Sequence, residues 1–348
     1  MKNSHWQIAG IIALSLLVVA VVSAPAADAE YKLLKEIPVG GEGGWDCLSV
    51  DSAAHRLYVS HAAKVVVIDT EKEIVAGEIT NTPGVHAIAI AAKLGRVFTS
   101  NGRANDVSIV DAKTLQATAR VATGENPDVI IFVPQHGEIY AFNGRSKSAT
   151  IFDAQSGAVV TNLALGGKPE FAAADADAGR VFVNLEDTSE VVAIDSAKHE
   201  IVARWPIAPG EEPSGLAFDG KNHRLFLGCG NKLMVMLDST SGKVLASVPI
   251  GDGVDGCAFD PETKLAFASC GSGATIIARE DGDKLTVVQT LATHRGARTM
   301  TIDPATHRIY LPAAEYETTT YAPAAGSQRQ RPKMVAGSFK VLVFVPGK

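Results

Sequence analysis

"HRLYVSHAAKVVVID", residues 55–69, holds two short apolar runs separated by a small loop. In the first, a basic residue and an aliphatic precede the aromatic Tyr58; the second runs through valines and closes on Asp69. Both halves recur along the chain. The basic-aliphatic-aromatic marker, or its counterpart, returns at Phe98, Tyr140, Phe182, Phe226, Phe267 and Tyr310, in steps of 40, 42, 42, 44, 41 and 43 residues. The acid-closed apolar run returns at Asp111, Asp153, Asp195 and Asp238, in steps of 42, 42, 42 and 43, with "IIARE" at Glu280 as a degenerate sixth copy.

Each unit reads as four short strands. The first gives "DCLSVD", "RLYVS", "KVVVID" and "IVAGEI". Alternating or β-branched runs parted by Gly, Asp, Asn, Ser and Thr are strand and hairpin signals. Four strands in a unit of about 42 residues match one blade of a propeller. Seven markers predict an all-β, seven-bladed β-propeller with four-stranded antiparallel blades.

The ends agree with a closed ring. The seventh unit, "TMTID", "RIYLP" and "FKVLVFV", lacks a fourth strand, while "YKLLKEIPVG" at 31–40 precedes the first unit. Placed as the outer strand of blade seven, the N-terminal segment closes the ring and removes an open seam. A parallel α/β domain would need helices of ten or more residues between strands, and no such pattern appears. Two stacked sandwiches would not require a uniform step.

Residues 1–29 fall outside the repeat. Lys2 and His5 precede an apolar run from Ile8 to Val22, and small residues follow in "SAPAADAEY". This pattern predicts a secretory signal peptide cleaved after Ala29, with Ala26 as the second choice, and a propeller over 30–348. A periplasmic or secreted location follows. The alternative is an uncleaved anchor, for which the apolar run is short. The chain has 348 residues, 46% hydrophobic and 20% charged, with a net charge of −6. That composition excludes a disordered chain and gives no overall attraction to nucleic acid. Export permits disulfides. The four cysteines are too few for a disulfide scaffold. Cys229 and Cys270 occupy equivalent places in neighbouring blades, so a bridge between them stays open. Cys47 and Cys257 read as buried small apolar residues.

The repeat also aligns a set of polar positions. Ten residues before each marker's basic residue, or its counterpart, stand Asp46, His86, Asp128, Glu170, Ser214, Asp255 and Arg298. Six of the seven are ionisable, and all lie where an innermost strand begins. In a closed ring they should surround one mouth of the central channel, with Arg298 between Asp255 and Asp46, and His86 between Asp46 and Asp128. Asp128 and Glu170 then face each other with no cation supplied, which makes them the best candidates for a hard cation such as calcium. No EF-hand-like spacing supports that ion. A ring that only holds water and pairs internally is the competing reading. Trp45, His61, Asn101, Asn143 and His294 are accessory candidates. Trp45 can stack on a ligand or pack between blades. His294 can meet Glu170 or Asp46. The repeated aspartates are explained by turn bonding alone.

Blade seven carries an insertion at 315–337, "EYETTTYAPAAGSQRQRPKMVAG". Arg329, Arg331 and Lys333 follow Tyr316 and Tyr321. Cations beside aromatics can take a nucleic-acid strand by phosphate contact and stacking. A solvated loop is the plainer alternative. No phosphate loop, GxSxG elbow or HExxH motif is present.

"YVSH", "FTSN", "GARTMTIDPATHRIYLPAAE" and the late "FKVLVF" resemble the YVTN-repeat, YncE-like propellers across residues 30–348. The resemblance implies an exported propeller. Some members of that family are implicated in single-stranded DNA binding, and related propellers carry lactonase or quinoprotein chemistry. Three functions follow as expectations. The first is a monomeric periplasmic scaffold that binds a small polar ligand or a protein through the channel-mouth face. The second is a lactonase-like hydrolase whose ring carboxylates hold a metal. The third is a single-stranded nucleic-acid binder.

Overall fold

Alternating apolar runs and aspartate-led turns build the same unit seven times. The computed structural model describes residues 30–317 and 333–347; the leader expected over 1–29 lies outside the described residues. Seven four-stranded antiparallel sheets form, six of them from consecutive strands. The innermost strands of those six are Trp45–Asp51, Val85–Ala91, Pro127–Val133, Pro169–Asp175, Pro213–Asp219 and Val254–Asp260. Blade seven is ordered Tyr31–Pro38, Lys340–Pro346, Arg308–Ala313 and Thr301–Asp303. The N-terminal strand therefore closes the ring, pairing antiparallel from Tyr31 opposite Pro346 to Pro38 opposite Lys340.

The turn chemistry is local. Asp69 Oδ1 accepts from the backbone N–H groups of Glu71 and Lys72 at 3.1 and 2.8 Å. Asp111, Asp153, Asp195 and Asp238 accept equivalent bonds. An aspartate that bonds its own backbone two or three residues on fixes a tight turn. That role accounts for the second marker.

The first marker fills the space between blades. Tyr58, Phe98, Tyr140, Phe182, Phe226, Phe267 and Tyr310 are all buried. Phe226 of blade five stacks on Phe259 of blade six with ring centroids 4.8 Å apart. Tyr31, in the closing strand, meets Phe267 of blade six edge-on at 5.2 Å. Burying an aromatic side chain of this size stabilises by roughly 1.5–3 kcal/mol.

The basic residue of the marker has its own task. Arg56 donates to the carbonyl of Ala112, and Arg96 to that of Ala154 at 2.8 Å, in each case in the next blade. Arg224 reaches Asp283 at 2.8 Å. Arg180 departs from the rule and folds back onto Asp195 of its own blade at 3.0 Å.

All four cysteines are free and buried, so no Cys229–Cys270 bridge forms. Each of these two thiols points toward the loop entering its own blade. A Cβ added at Gly210 would stand 2.7 Å from the Cys229 sulfur, and one at Gly251 would stand 3.2 Å from the Cys270 sulfur. Among the described residues, no helix is long and apolar enough to cross a membrane.

Candidate functional site

A carboxylate at the start of an inner strand would ordinarily alternate with its neighbours between the two faces of the sheet. Here the pairing slips. The register between first and second strands shifts between Trp45 and Leu48, and likewise between Val85 and Ile88, Pro127 and Ile130, Pro169 and Ala172, Pro213 and Leu216, and Val254 and Gly256. Asp46, His86, Asp128, Glu170, Ser214 and Asp255 all sit inside these shifts. A bulge bends its strand and re-aims a side chain. Arg298 precedes the short inner strand Thr301–Asp303 of blade seven.

The bulges deliver these groups to one place. Asp46, Asp128, Glu170, Ser214, Asp255 and Arg298 line a single cavity of about 340 Å³ at the channel mouth. His86 touches its wall. His86 Nδ1 lies 2.7 Å from Asp46 Oδ2 and 3.6 Å from Asp128 Oδ1. Arg298 Nε lies 2.5 Å from Asp255 Oδ2. Ser214 is the exception in chemistry, because its hydroxyl donates to the carbonyl of Val254 in the next blade at 3.0 Å.

One expectation needs correction. Asp128 and Glu170 do not face each other without a cation. Lys168 Nζ bonds Glu170 Oε1 at 2.7 Å and also bonds Glu186. Lys168 lies two residues before the ring position, so aligning one column of the repeat does not show it. Glu186 and Glu212 also line the cavity. Glu186 directly follows the second strand of blade four, and Glu212 stands two residues before Ser214, the place that Lys168 holds before Glu170.

The electrostatics follow from crowding. The ring groups are closely surrounded yet still touch the channel; 17% of the Asp128 side chain is exposed. Burial, reinforced by Asp128, raises Glu170 to about 8 against the pull of Lys168. Burial and the charges of Asp46 and Asp255 hold Asp128 up at about 6, although His86 opposes them. Burial works against a charge on His86, but the Asp46 hydrogen bond and the surrounding carboxylates outweigh it and raise His86 to about 9. Burial also pushes Asp255 above the usual carboxylate range, with Asp46 adding to the effect and Arg298 resisting it.

Buried side chains of the second strands hold the bulges in place. Ser60 Oγ accepts from Asp46 N at 2.9 Å. Ser100 Oγ accepts from Ala87 N at 3.0 Å and donates to the Asp128 carbonyl. Asn184 donates to the carbonyls of Ser214 and Gly215, both at 3.0 Å. Ser269 donates to the Arg298 carbonyl at 2.5 Å. These residues share one column, the third letter of "YVSH", "FTSN", "FVNL" and "FASC". That column is the signal by which the sequence could have shown them.

The accessory candidates stand elsewhere. His61 is buried and stacked on Phe339 at 4.3 Å, and burial lowers its pKa. Trp45 stacks on Phe339 at 5.1 Å and tilts over Tyr316 at 6.3 Å, which is packing where blades one and seven meet. Asn101 and Asn143 are buried and bond Ser108 and Thr150 of their own blades. His294 pairs with Glu36 of the closing strand at 3.2 Å instead of with Glu170 or Asp46. The insertion begins as a short antiparallel arm, with Glu317 N donating to Lys333 O and Val335 N to Glu315 O, both at 2.8 Å. Arg329 and Arg331 lie outside the described residues.

No protein-family model matches the chain, and no curated protein matches it. Solved structures do match. One is the structure of U3-55K, with a TM-score of 0.73 over 91% of this chain and 98% of that one, at 11% sequence identity. At that identity the likeness is one of fold, and it supports the seven-bladed ring.

Proposed function

We propose that this chain is an exported binding protein of the YVTN-repeat, YncE-like kind, whose channel-mouth cavity takes a small, positively charged polar ligand. A propeller of this form suits a scaffold or binding role, but fold alone chooses no ligand. The observation that carries the reading is the charge of the cavity wall. Six carboxyl groups (Asp46, Asp128, Glu170, Glu186, Glu212 and Asp255) line it against Lys168, Arg298 and the adjoining His86, so the wall stays negative even while Glu170 holds its proton. A concave mouth of one sign concentrates ligands of the other.

The same wall argues against a nucleic-acid strand at this face, because carboxylates repel phosphate. The metal-assisted hydrolase reading requires a metal ion at the ring, and the metal content of the purified protein tests it. The leader supports export, and sequencing the N-terminus of the protein from a periplasmic extract tests it; the reading expects a start at Glu30.

Calorimetric titration with 1,4-diaminobutane tests the ligand class. Near pH 9, where Glu170 has lost its proton, binding should weaken as salt is added and fall at least tenfold in Glu170→Gln/Asp255→Asn. No heat at low salt, or binding unaffected by that double substitution, would overturn the proposal.

A further inference from the structure

One sector of the mouth differs from the rest. Lys168 is committed to Glu170 and Glu186, and Arg298 to Asp255. Among the described residues, Asp46 and Asp128 share the imidazole of His86 as their ion-pair partner, and Asp46 Oδ1 takes one further, long contact from the Cys47 thiol at 3.9 Å. Asp46, His86 and Asp128 come from corresponding bulges of blades one, two and three. One ligand atom from each lies within 4.8 Å of the other two.

The spacing suits an ion. Ligand atoms about 2.0–2.2 Å from a tetrahedral or octahedral metal stand roughly 3–3.5 Å from one another. His86 Nδ1 is already 3.6 Å from Asp128 Oδ1, and it is 2.7 Å from Asp46 Oδ2, a gap closed by a shared proton. A small opening of the second distance admits a cation in place of that proton, which leaves to water.

The imidazole is also built into its position. A Cβ at Gly102 would stand 2.6 Å from His86 Nε2. Any side chain there would occupy the space that the ring fills, so Gly102 forms a cradle behind the imidazole and directs Nδ1 at the two carboxylates. Ser60 and Ser100 fix the main chain of Asp46 and Asp128 through buried hydroxyls.

The donor set selects the ion. Calcium takes six to eight oxygen ligands. One imidazole nitrogen with two carboxylates suits a smaller divalent ion of the zinc, cobalt or nickel kind. Two carboxylates and a neutral imidazole also balance its double charge. We propose that Asp46, His86 and Asp128 form a binding site for one divalent transition-metal ion, with its remaining coordination positions open to the cavity. The inference rests on the reading that this mouth is a binding site, and it names a second ligand class for a different sector of it. Three protein ligands with open positions is also the arrangement from which a metal can polarise a bound group.

The test uses the purified protein after chelator treatment and dialysis. Zinc is titrated calorimetrically, and cobalt(II) is followed by its visible absorption. One ion per chain is expected, with a cobalt spectrum that includes nitrogen ligation and little competition from excess calcium. His86→Gln and Asp128→Asn should each weaken zinc binding at least tenfold, with circular dichroism confirming the fold. Gly102→Ala keeps all three ligands but crowds the ring, and it should weaken zinc binding as well. No zinc uptake, or uptake unchanged in both His86→Gln and Asp128→Asn, would overturn the site. If zinc fails while 1,4-diaminobutane still binds, the metal inference falls alone; if neither binds, both readings fall.

Discussion

Ser100 fastens its own blade to Asp128 of the next. Its buried hydroxyl accepts from Ala87 N at 3.0 Å, beside His86, and donates to the Asp128 carbonyl. One oxygen thus sets the separation of two ring residues. Ser100→Ala leaves two buried backbone groups short of a partner, each loss costing about 1–3 kcal/mol. A fall in thermal midpoint of several degrees is expected, with diamine or zinc affinity reduced although no charged group is altered. Ser100→Thr, which keeps the hydroxyl, should recover part of both.

Glu170 gives the protein a pH dependence of definite sign. The unfolded chain releases this proton near the ordinary 4.5, whereas the folded protein holds it to about 8. Between those values the folded state binds more protons than the unfolded one. The group's stabilising contribution is therefore complete below the unfolded value and is lost as pH rises through the folded one. Thermal melts of the wild type and Glu170→Gln should diverge steadily between about pH 5 and 9, the variant losing less stability. Diamine affinity should rise over the same window in the wild type and stay flatter in the variant.

Arg298 and Asp255 supply a control of opposite sign. The guanidinium is 47% exposed, so the pair contributes little to stability. Pairs of this exposure are worth about 0–1 kcal/mol. Arg298→Ala should lower the melting temperature only slightly. It removes a permanent cation from an acidic cavity, so affinity for 1,4-diaminobutane should increase severalfold at low salt. An unchanged or weaker affinity would show that the wall's net charge does not govern binding.

Tyr31 tests the closure of the ring. Its ring packs on Phe267, and its hydroxyl donates to the His307 carbonyl at 2.9 Å. Tyr31→Ala should destabilise by about 3–5 kcal/mol, the usual cost of deleting a buried aromatic. Tyr31→Phe, which loses the hydrogen bond alone, should cost about 1 kcal/mol. Denaturant titration separates the two.

The architecture was legible because its signals repeat. Tyr58 and its counterparts are buried between blades, and Asp69 and its counterparts close turns, so the same chemistry recurs at each step. The ring positions were legible for the same reason. Their contacts were less so. Lys168 is peculiar to blade four and reaches Glu170 from outside the aligned column. The bulges leave no composition signal beyond prolines at 127, 169 and 213. His61 reads as an open polar loop residue until Phe339, 278 positions later, is found stacked on it. Local periodicity does not carry such long-range pairings.

The closing strand has a kinetic consequence. The hydrogen bond from Tyr31 to His307 joins residues 276 positions apart, and the partner strand Lys340–Pro346 lies farther along still. Bringing together ends so widely separated is slow, because the entropy of the intervening chain must be overcome before the contact rewards it. Ribosomes deliver the closing strand first and its partners last. Should six blades form on their own hairpins before the seventh, the apolar flank of Phe267 that Tyr31 covers would face water in that interval. The final seam is therefore the step at which a chaperone, a protease or a second unfinished copy has its best opportunity to intervene.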